Sequence, residues 1–183
     1  SLHGGALIRY ALQLRDADNP EAAIPLLQKA LADDPRNATV WQTLGLIHRA
    51  CDDSGDAIAC LSKALQLAPN DGRIAHGLAR VTLEAGLPAL DLFGAAARLA
   101  PSDGDVLIGR SAAQLALGQS GQAMVDLAAG LADNPLWLEG HAALSNLHWL
   151  VGDEVGFVAS YASAIAANPK NLPLWLALID RYI

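Results

Sequence analysis

The sequence predicts an all-α protein made of repeated pairs of helices. Ala and Leu, which favour helices, are its most common residues, and only 5% of the 183 residues are aromatic. The same arrangement of small, large apolar and proline residues also returns along the chain, most regularly in residues 38–71. There, Gly45 and Ala57 are small enough to let two helices approach closely, and Pro69 cannot continue a helix and so ends the second one.

The pattern predicts five full repeats followed by one further helix. In chain order the repeats occupy residues 4–37, 38–71, 72–103, 104–137 and 138–171, and the further helix occupies residues 172–183. That last helix carries Trp175, Leu178 and Tyr182 at the spacing of a first helix. We therefore expect eleven helices joined by short turns, in a single domain over residues 1–183.

Individual repeats depart from the pattern in ways that have structural consequences. In the first repeat, Pro20 and Glu21 open the second helix, since proline and acidic residues favour helix starts. The third repeat is two residues short at the turn around Leu87, which predicts a different tilt for its second helix. The fourth has Arg110 where a large apolar residue is usual. The fifth has Phe157 where a small residue is usual, so this helix pair must spread or shift.

The spacing of these residues closely resembles the tetratricopeptide repeat, a 34-residue helix–turn–helix unit. The resemblance covers essentially the whole chain and implies a right-handed α-α superhelix whose first helices line a concave groove. In that family, positions 2, 5, 9, 12 and 13 of each repeat point into the groove. Carried over to this sequence, those positions give a candidate binding site for a protein or peptide: Arg49, Arg73, His76, Arg80, Ile108, Asn146 and Trp149.

The groove positions of the first three repeats carry a group of basic side chains. Arg15, Arg49, Arg73 and Arg80 all face the predicted groove, with His76 between the last two. A concave wall focuses the local field, so this half is expected to attract an acidic segment although the net charge is −7. The alternative is that these are solvated arginines that happen to face inward.

The groove positions of the last two repeats are more apolar. Trp149, Leu115 and Ile108 would form an apolar floor that anchors a partner's side chains, while Asn146 would recognise its backbone. The alternative is that Trp149 is covered by its neighbours or by another part of the protein.

Composition limits the partners and the compartment. The 12 basic and 19 acidic residues give no overall attraction for nucleic acid or an anionic membrane, and no charge-free run is long enough to cross a bilayer. No amino-terminal signal segment is visible, and two cysteines, Cys51 and Cys60, are too few for a disulfide framework. A reduced cytoplasmic protein is therefore expected.

Catalytic and metal-binding patterns are weak in this sequence. His141 and His148 lie seven residues apart on one helix face, a spacing suited to two metal ligands, but both occupy positions where the family packs aromatic residues, as does His48. No third ligand for that pair, nucleophile–base pair or phosphate-binding loop is evident. We expect a non-catalytic protein without a metal or cofactor.

Two further readings of the chain remain open. Its end in mid-repeat suggests the amino-terminal module of a larger bacterial enzyme, with the catalytic domain beyond Ile183. Repeats four and five loosely resemble those that precede catalytic domains of the 2-oxoglutarate oxygenase or sulfotransferase type. Self-association through the apolar carboxy-terminal helix is the other reading.

Overall fold

The computed structural model describes residues 2–172 and residue 176, with side chains from Gly5 onward. Helices connected by short turns make up this part of the chain, and it contains no strand, so the all-α prediction is confirmed. The helices are α1 (Leu2–Asp16), a 3-10 helix (Pro20–Ala23), α2 (Ile24–Asp33), α3 (Ala38–Ala50), α4 (Ser54–Leu67), α5 (Gly72–Glu84), α6 (Leu90–Leu99), α7 (Gly104–Ala116), α8 (Ser120–Asp133), α9 (Leu138–Leu150) and α10 (Glu154–Ala167).

The observed helices follow the repeat boundaries that the sequence pattern predicts. Helices α3, α5, α7 and α9 begin at Ala38, Gly72, Gly104 and Leu138, which are the predicted first residues of repeats two to five. For the predicted helix 172–183, Trp175, Leu178 and Tyr182 lie outside the described residues.

Asp and Asn side chains start many of the helices. Asn37 Oδ1 accepts the Val40 backbone N–H at 3.2 Å, and Asp103 Oδ1 accepts the N–H groups of Asp105 and Val106. Asp71 caps α5 in the same way. A side-chain acceptor at this position satisfies backbone donors that the first helical turn leaves without partners.

One turn position repeats its backbone conformation in every helix pair. The residue between the first and second helices has a positive φ in all five repeats: Asp18, Asp52, Gly86, Gly118 and Gly152. Gly and, less readily, Asp adopt this left-handed conformation. It reverses the chain so that the second helix packs back on the first.

The described helices group into two compact units, residues 1–99 and residues 100–183. In the first unit, the first helices α1, α3 and α5 are neighbours and the largest fully buried side chains include Leu27, Ile47, Leu61 and Phe93. In the second, α7 neighbours α9, and Phe157 and Leu127 are fully buried. The prediction of a single domain stays a prediction.

Candidate binding face

None of the seven candidate site residues is buried. Arg73, Arg80, Asn146 and Trp149 are exposed, while Arg49, His76 and Ile108 are partly buried, and buried residues take other positions on the same helices. We call Arg49, Arg73, His76, Arg80 and Glu84 of the first unit the basic face. We call Ile108, Leu115, Asn146 and Trp149 of the second unit the apolar face.

Arg49 and Glu84 form a two-pronged ion pair between α3 and α5. Arg49 Nε donates to Glu84 Oε2 at 2.6 Å and Arg49 Nη2 donates to Glu84 Oε1 at 2.7 Å. The hydrogen bonds from Arg49 lower the pKa of Glu84, and those to Glu84 raise the pKa of Arg49. This fork geometry fixes both side chains more tightly than a single contact does.

The same carboxylate also faces a second guanidinium group. Arg80 Nε lies 4.0 Å from Glu84 Oε1, one helical turn away on α5. Glu84 therefore lies between Arg49 and Arg80, and its single negative charge faces two positive charges. Glu84 is position 13 of its repeat, a groove position in the family, but the repeat pattern does not predict this pairing.

Arg73 is the most exposed member of the basic face. Its side chain is 84% exposed, and its Nη2 lies 3.3 Å from Asp71 Oδ2. Burial opposes ionisation of Asp71, but hydrogen bonds from the Arg73 side chain and from the backbone of Arg73 and Ile74 outweigh this, so its pKa is lowered. Arg15 likewise contacts the adjacent Asp16, at 2.7 Å. All four predicted groove arginines thus have carboxylates nearby.

His76 contacts the interior of its own helix pair. Its ring centroid lies 6.1 Å from that of Phe93, which is fully buried on α6, and the rings are tilted by 52°. In the sequence of α5, His76 lies between Arg73 and Arg80.

On the apolar face, Trp149 is held by an aromatic row. It remains 47% exposed, and its ring centroid lies 5.3 Å from that of Phe157, which in turn lies 5.0 Å from Tyr161. Tilted pairs at such separations are favourable for aromatic rings. Leu115 is 37% exposed, so part of this face is available to a partner.

The histidines at packing positions make different contacts. His141 is buried, and its Nε2 lies 2.9 Å from the Pro135 carbonyl, just as Trp41 Nε1 donates to the Pro35 carbonyl at 2.9 Å one hundred residues earlier. His148 Nδ1 lies 2.8 Å from Asp153 Oδ2. Asp153 also accepts the Gly156 N–H, and that bond, followed by the His148 contact, lowers its pKa.

The structure brings together one group that sequence reasoning missed. His48 Nδ1 lies 3.3 Å from Asp53 Oδ2 and 4.0 Å from Asp56 Oδ2. Within the described residues, these three side chains are close enough to one another to share a metal ion. The sequence pattern that could have predicted this group is a His followed five and eight residues later by Asp, across the turn that joins α3 to α4.

Among the helices of residues 2–172, none is long and apolar enough to cross a lipid bilayer.

Comparison with known proteins identifies the fold. Residues 14–81 match the family model of the tetratricopeptide repeat. Protein FlbA of Caulobacter vibrioides is 32% identical over 76 residues, which are 42% of this chain. The match spans only 13% of the length of FlbA.

Solved structures of two proteins share the fold over nearly the whole chain. YrrB, described as a TPR protein with an unusual peptide-binding site, is 20% identical and superposes with a TM-score of 0.71, covering 93% of this chain and 89% of its own. TTC0263, a thermophilic TPR protein of Thermus thermophilus, is 21% identical with a TM-score of 0.66, covering 96% and 97%. The helix-pair solenoid that the sequence pattern predicts is therefore confirmed.

Proposed function

Because this chain is a tetratricopeptide repeat protein, we propose that it is a non-catalytic scaffold that binds a peptide or protein segment on the exposed sides of its first helices. Proteins of this fold generally mediate protein–protein interactions. The proposal assigns an acidic stretch of the partner to the basic face. Apolar side chains of the partner are assigned to the apolar face.

The observation that carries the proposal is the charge balance of the basic face. The guanidinium groups of Arg49, Arg73 and Arg80 lie near two carboxylates, those of Asp71 and Glu84. Arg80 is 4.0 Å from the Glu84 carboxylate, which Arg49 already binds. A partner carboxylate can therefore approach Arg73 and Arg80 without displacing the short bonds of the Arg49–Glu84 fork. Charge-assisted bonds of this kind are among the stronger hydrogen bonds.

The apolar face supports a different contribution. Trp149 is 47% exposed although its ring packs on Phe157, and this contact restricts the indole before a partner binds. A rigid aromatic surface loses little conformational entropy on binding, which is why such residues often anchor interfaces. The nearby amide of Asn146 is assigned to hydrogen bonding with the partner's backbone. YrrB, of the same fold, is described as having a peptide-binding site, which favours a peptide ligand here as well.

A peptide-display selection tests the proposal with no assumption about the partner's sequence. Random peptides selected on the wild-type protein are expected to be enriched in Asp and Glu. Their affinity is expected to fall about three- to tenfold in the Arg73→Ala/Arg80→Ala variant, from the loss of two partly exposed ion pairs. Selection of peptides without acidic residues, or equal binding to both proteins, would remove the basic face from the proposal.

A charge-matched control separates local recognition from general attraction. Arg36 precedes α3 in a turn and Arg98 lies near the end of α6, a second helix, so neither belongs to the basic face. The Arg36→Ala/Arg98→Ala variant changes the net charge by the same amount. It is expected to bind the selected peptides like the wild type.

A second candidate is that the chain serves as the recognition module of a longer protein. The observation that favours it is the FlbA match, which spans 13% of a much longer chain. On this proposal, residues outside the present sequence supply any catalysis, for example in an enzyme of the 2-oxoglutarate oxygenase or sulfotransferase type. The intact mass of the protein from its source, compared with 19.1 kDa, tests this directly.

The proposed scaffold works in the reducing cytoplasm. Cys51 and Cys60 are free thiols, which fits a compartment where disulfides are rare.

A further inference from the structure

We propose that His48, Asp53 and Asp56 form a binding site for one divalent transition-metal ion of the zinc type. The site lies where α3 ends and α4 begins and does not include the basic face. It would join the last turn of α3 to the first turn of α4 through a metal bridge.

The separations of the three side chains suit a shared ion. Zinc bonds to nitrogen and oxygen of about 2.0–2.2 Å place the ligand atoms of a tetrahedral site about 3.3–3.6 Å apart. His48 Nδ1 and Asp53 Oδ2 are 3.3 Å apart. Asp56 Oδ2 is at 4.0 Å from the same nitrogen, and its side chain is 68% exposed and can rotate to close the remaining gap.

The backbone holds two of the ligands in place. Asp53 is the N-cap of α4, and its Oδ1 accepts the Asp56 N–H at 3.2 Å, so its Oδ2 remains directed at the imidazole. His48 is 9% exposed, which limits the rotation of its ring. Fixed ligands lose less entropy when a metal binds, and one nitrogen with two carboxylate oxygens suits Zn²⁺ better than Mg²⁺ or Ca²⁺.

The fifth repeat provides an internal comparison. His148 and Asp153 occupy the positions of His48 and Asp53, but Gly156 replaces Asp56. There, the imidazole closes to a hydrogen bond of 2.8 Å with Asp153 Oδ2. A Cβ atom at Gly156 would collide with His148 Nδ1 in its present position, so the imidazole lies where a third side chain would begin. The longer distance from His48 Nδ1 to Asp53 Oδ2, 3.3 Å, is thus found in the repeat that has a second carboxylate.

A groove gives an ion access to the site. The groove has a volume of about 630 Å³ and is lined by His48 and Asp56, together with Cys60 and Lys63. The Asp56 carboxylate lines this groove and brings negative charge to its wall. Lys63 brings a positive charge to the same groove, which weakens the attraction for a cation.

Calorimetric titration of the untagged protein with ZnCl₂ tests the proposal. We expect one Zn²⁺ per chain in the wild type and an affinity at least tenfold lower in Asp56→Asn. Asp56 is mostly exposed and its side chain is not the helix cap, so this variant should fold normally, which circular dichroism checks. His148→Gln is the matched control and should bind Zn²⁺ like the wild type.

A second measurement tests the metal site in the wild-type protein, so that its result does not depend on whether a variant folds. Nuclear magnetic resonance of the wild-type protein should show the His48 ring signals shifting on addition of Zn²⁺, with the His148 signals unchanged. Three results would overturn the proposal. They are no saturable binding of Zn²⁺ to the wild type, equal affinity in Asp56→Asn, or a shift confined to the His148 signals.

Discussion

Arg49 and Glu84, one repeat apart in the sequence, join neighbouring first helices through hydrogen bonds of 2.6 and 2.7 Å. The pair lies on the basic face, where we propose that a partner binds. It therefore has two effects, since it links α3 to α5 and also sets how much positive charge the basic face presents.

Replacing Glu84 is expected to strengthen binding of an acidic peptide. Glu84→Gln removes the negative charge that faces Arg49 and Arg80, so affinity for a selected acidic peptide should rise about threefold, in keeping with partly exposed ion pairs. Fluorescence anisotropy measures this change. Glu154→Gln, at an exposed glutamate on the second helix α10, is the charge-matched control and should have a smaller effect.

The Arg49–Glu84 pair also predicts a pH dependence of stability. The pKa of Glu84 is lower in the folded protein than its ordinary value of 4.5, because Arg49 hydrogen-bonds the carboxylate. The resulting stabilisation is present above that ordinary value and is lost as pH falls through the lowered pKa. Urea unfolding at neutral and acidic pH should show a smaller acid-induced loss of stability in Glu84→Gln than in the wild type. Equal pH profiles would contradict the assignment.

The contact between Gly45 and the second helix of its repeat predicts a stability difference. A Cβ at Gly45 would lie 2.7 Å from Leu61 Cγ and 3.1 Å from the Ala57 carbonyl oxygen. Gly45→Ala should therefore lower the free energy of unfolding by about 1–3 kcal/mol, as overpacking does. Chemical denaturation measures this value.

Gly77 offers a matched control on α5. A Cβ there would meet Leu61 Cδ2 at an ordinary 3.7 Å. Gly77→Ala should stabilise the protein by up to about 1 kcal/mol, because alanine favours helices over glycine. If both variants lost stability equally, close packing at Gly45 would not be the cause.

The two cysteines are expected to react slowly in the native state. Burial, followed by nearby carboxylates, raises the pKa of Cys60 to about 11 and also raises the pKa of Cys51. Little thiolate is then present near neutral pH. Alkylation followed by mass spectrometry should give slow modification of the native protein and fast modification in denaturant. Rapid native labelling of Cys60 would contradict this picture.

Much of the fold could be predicted because its signals are local. Small residues such as Gly45 and Ala57, and prolines such as Pro69, recur at fixed spacing, and each constrains the backbone near itself. The first helices of repeats two to five accordingly begin at the predicted residues.

The candidate sites depend on distances that the repeat pattern does not contain. Glu84 occupies position 13 of its repeat, a groove position in the family, but its bonds to Arg49 depend on the packing of α3 beside α5. His48 was interpreted as a packing residue, which agrees with its burial. That interpretation did not predict the contacts of His48 with Asp53 and Asp56, because these contacts depend on how the turn and the cap of α4 place the two carboxylates beside the imidazole.

The most direct test of the central proposal is the salt dependence of peptide affinity. A selected acidic peptide is titrated at several salt concentrations into the wild type, Arg73→Ala/Arg80→Ala and Arg36→Ala/Arg98→Ala. We expect affinity to fall with salt in the wild type and the Arg36/Arg98 control, because salt screens exposed charges. The slope should be clearly shallower in the Arg73/Arg80 variant. Identical slopes in all three proteins would contradict recognition at the basic face.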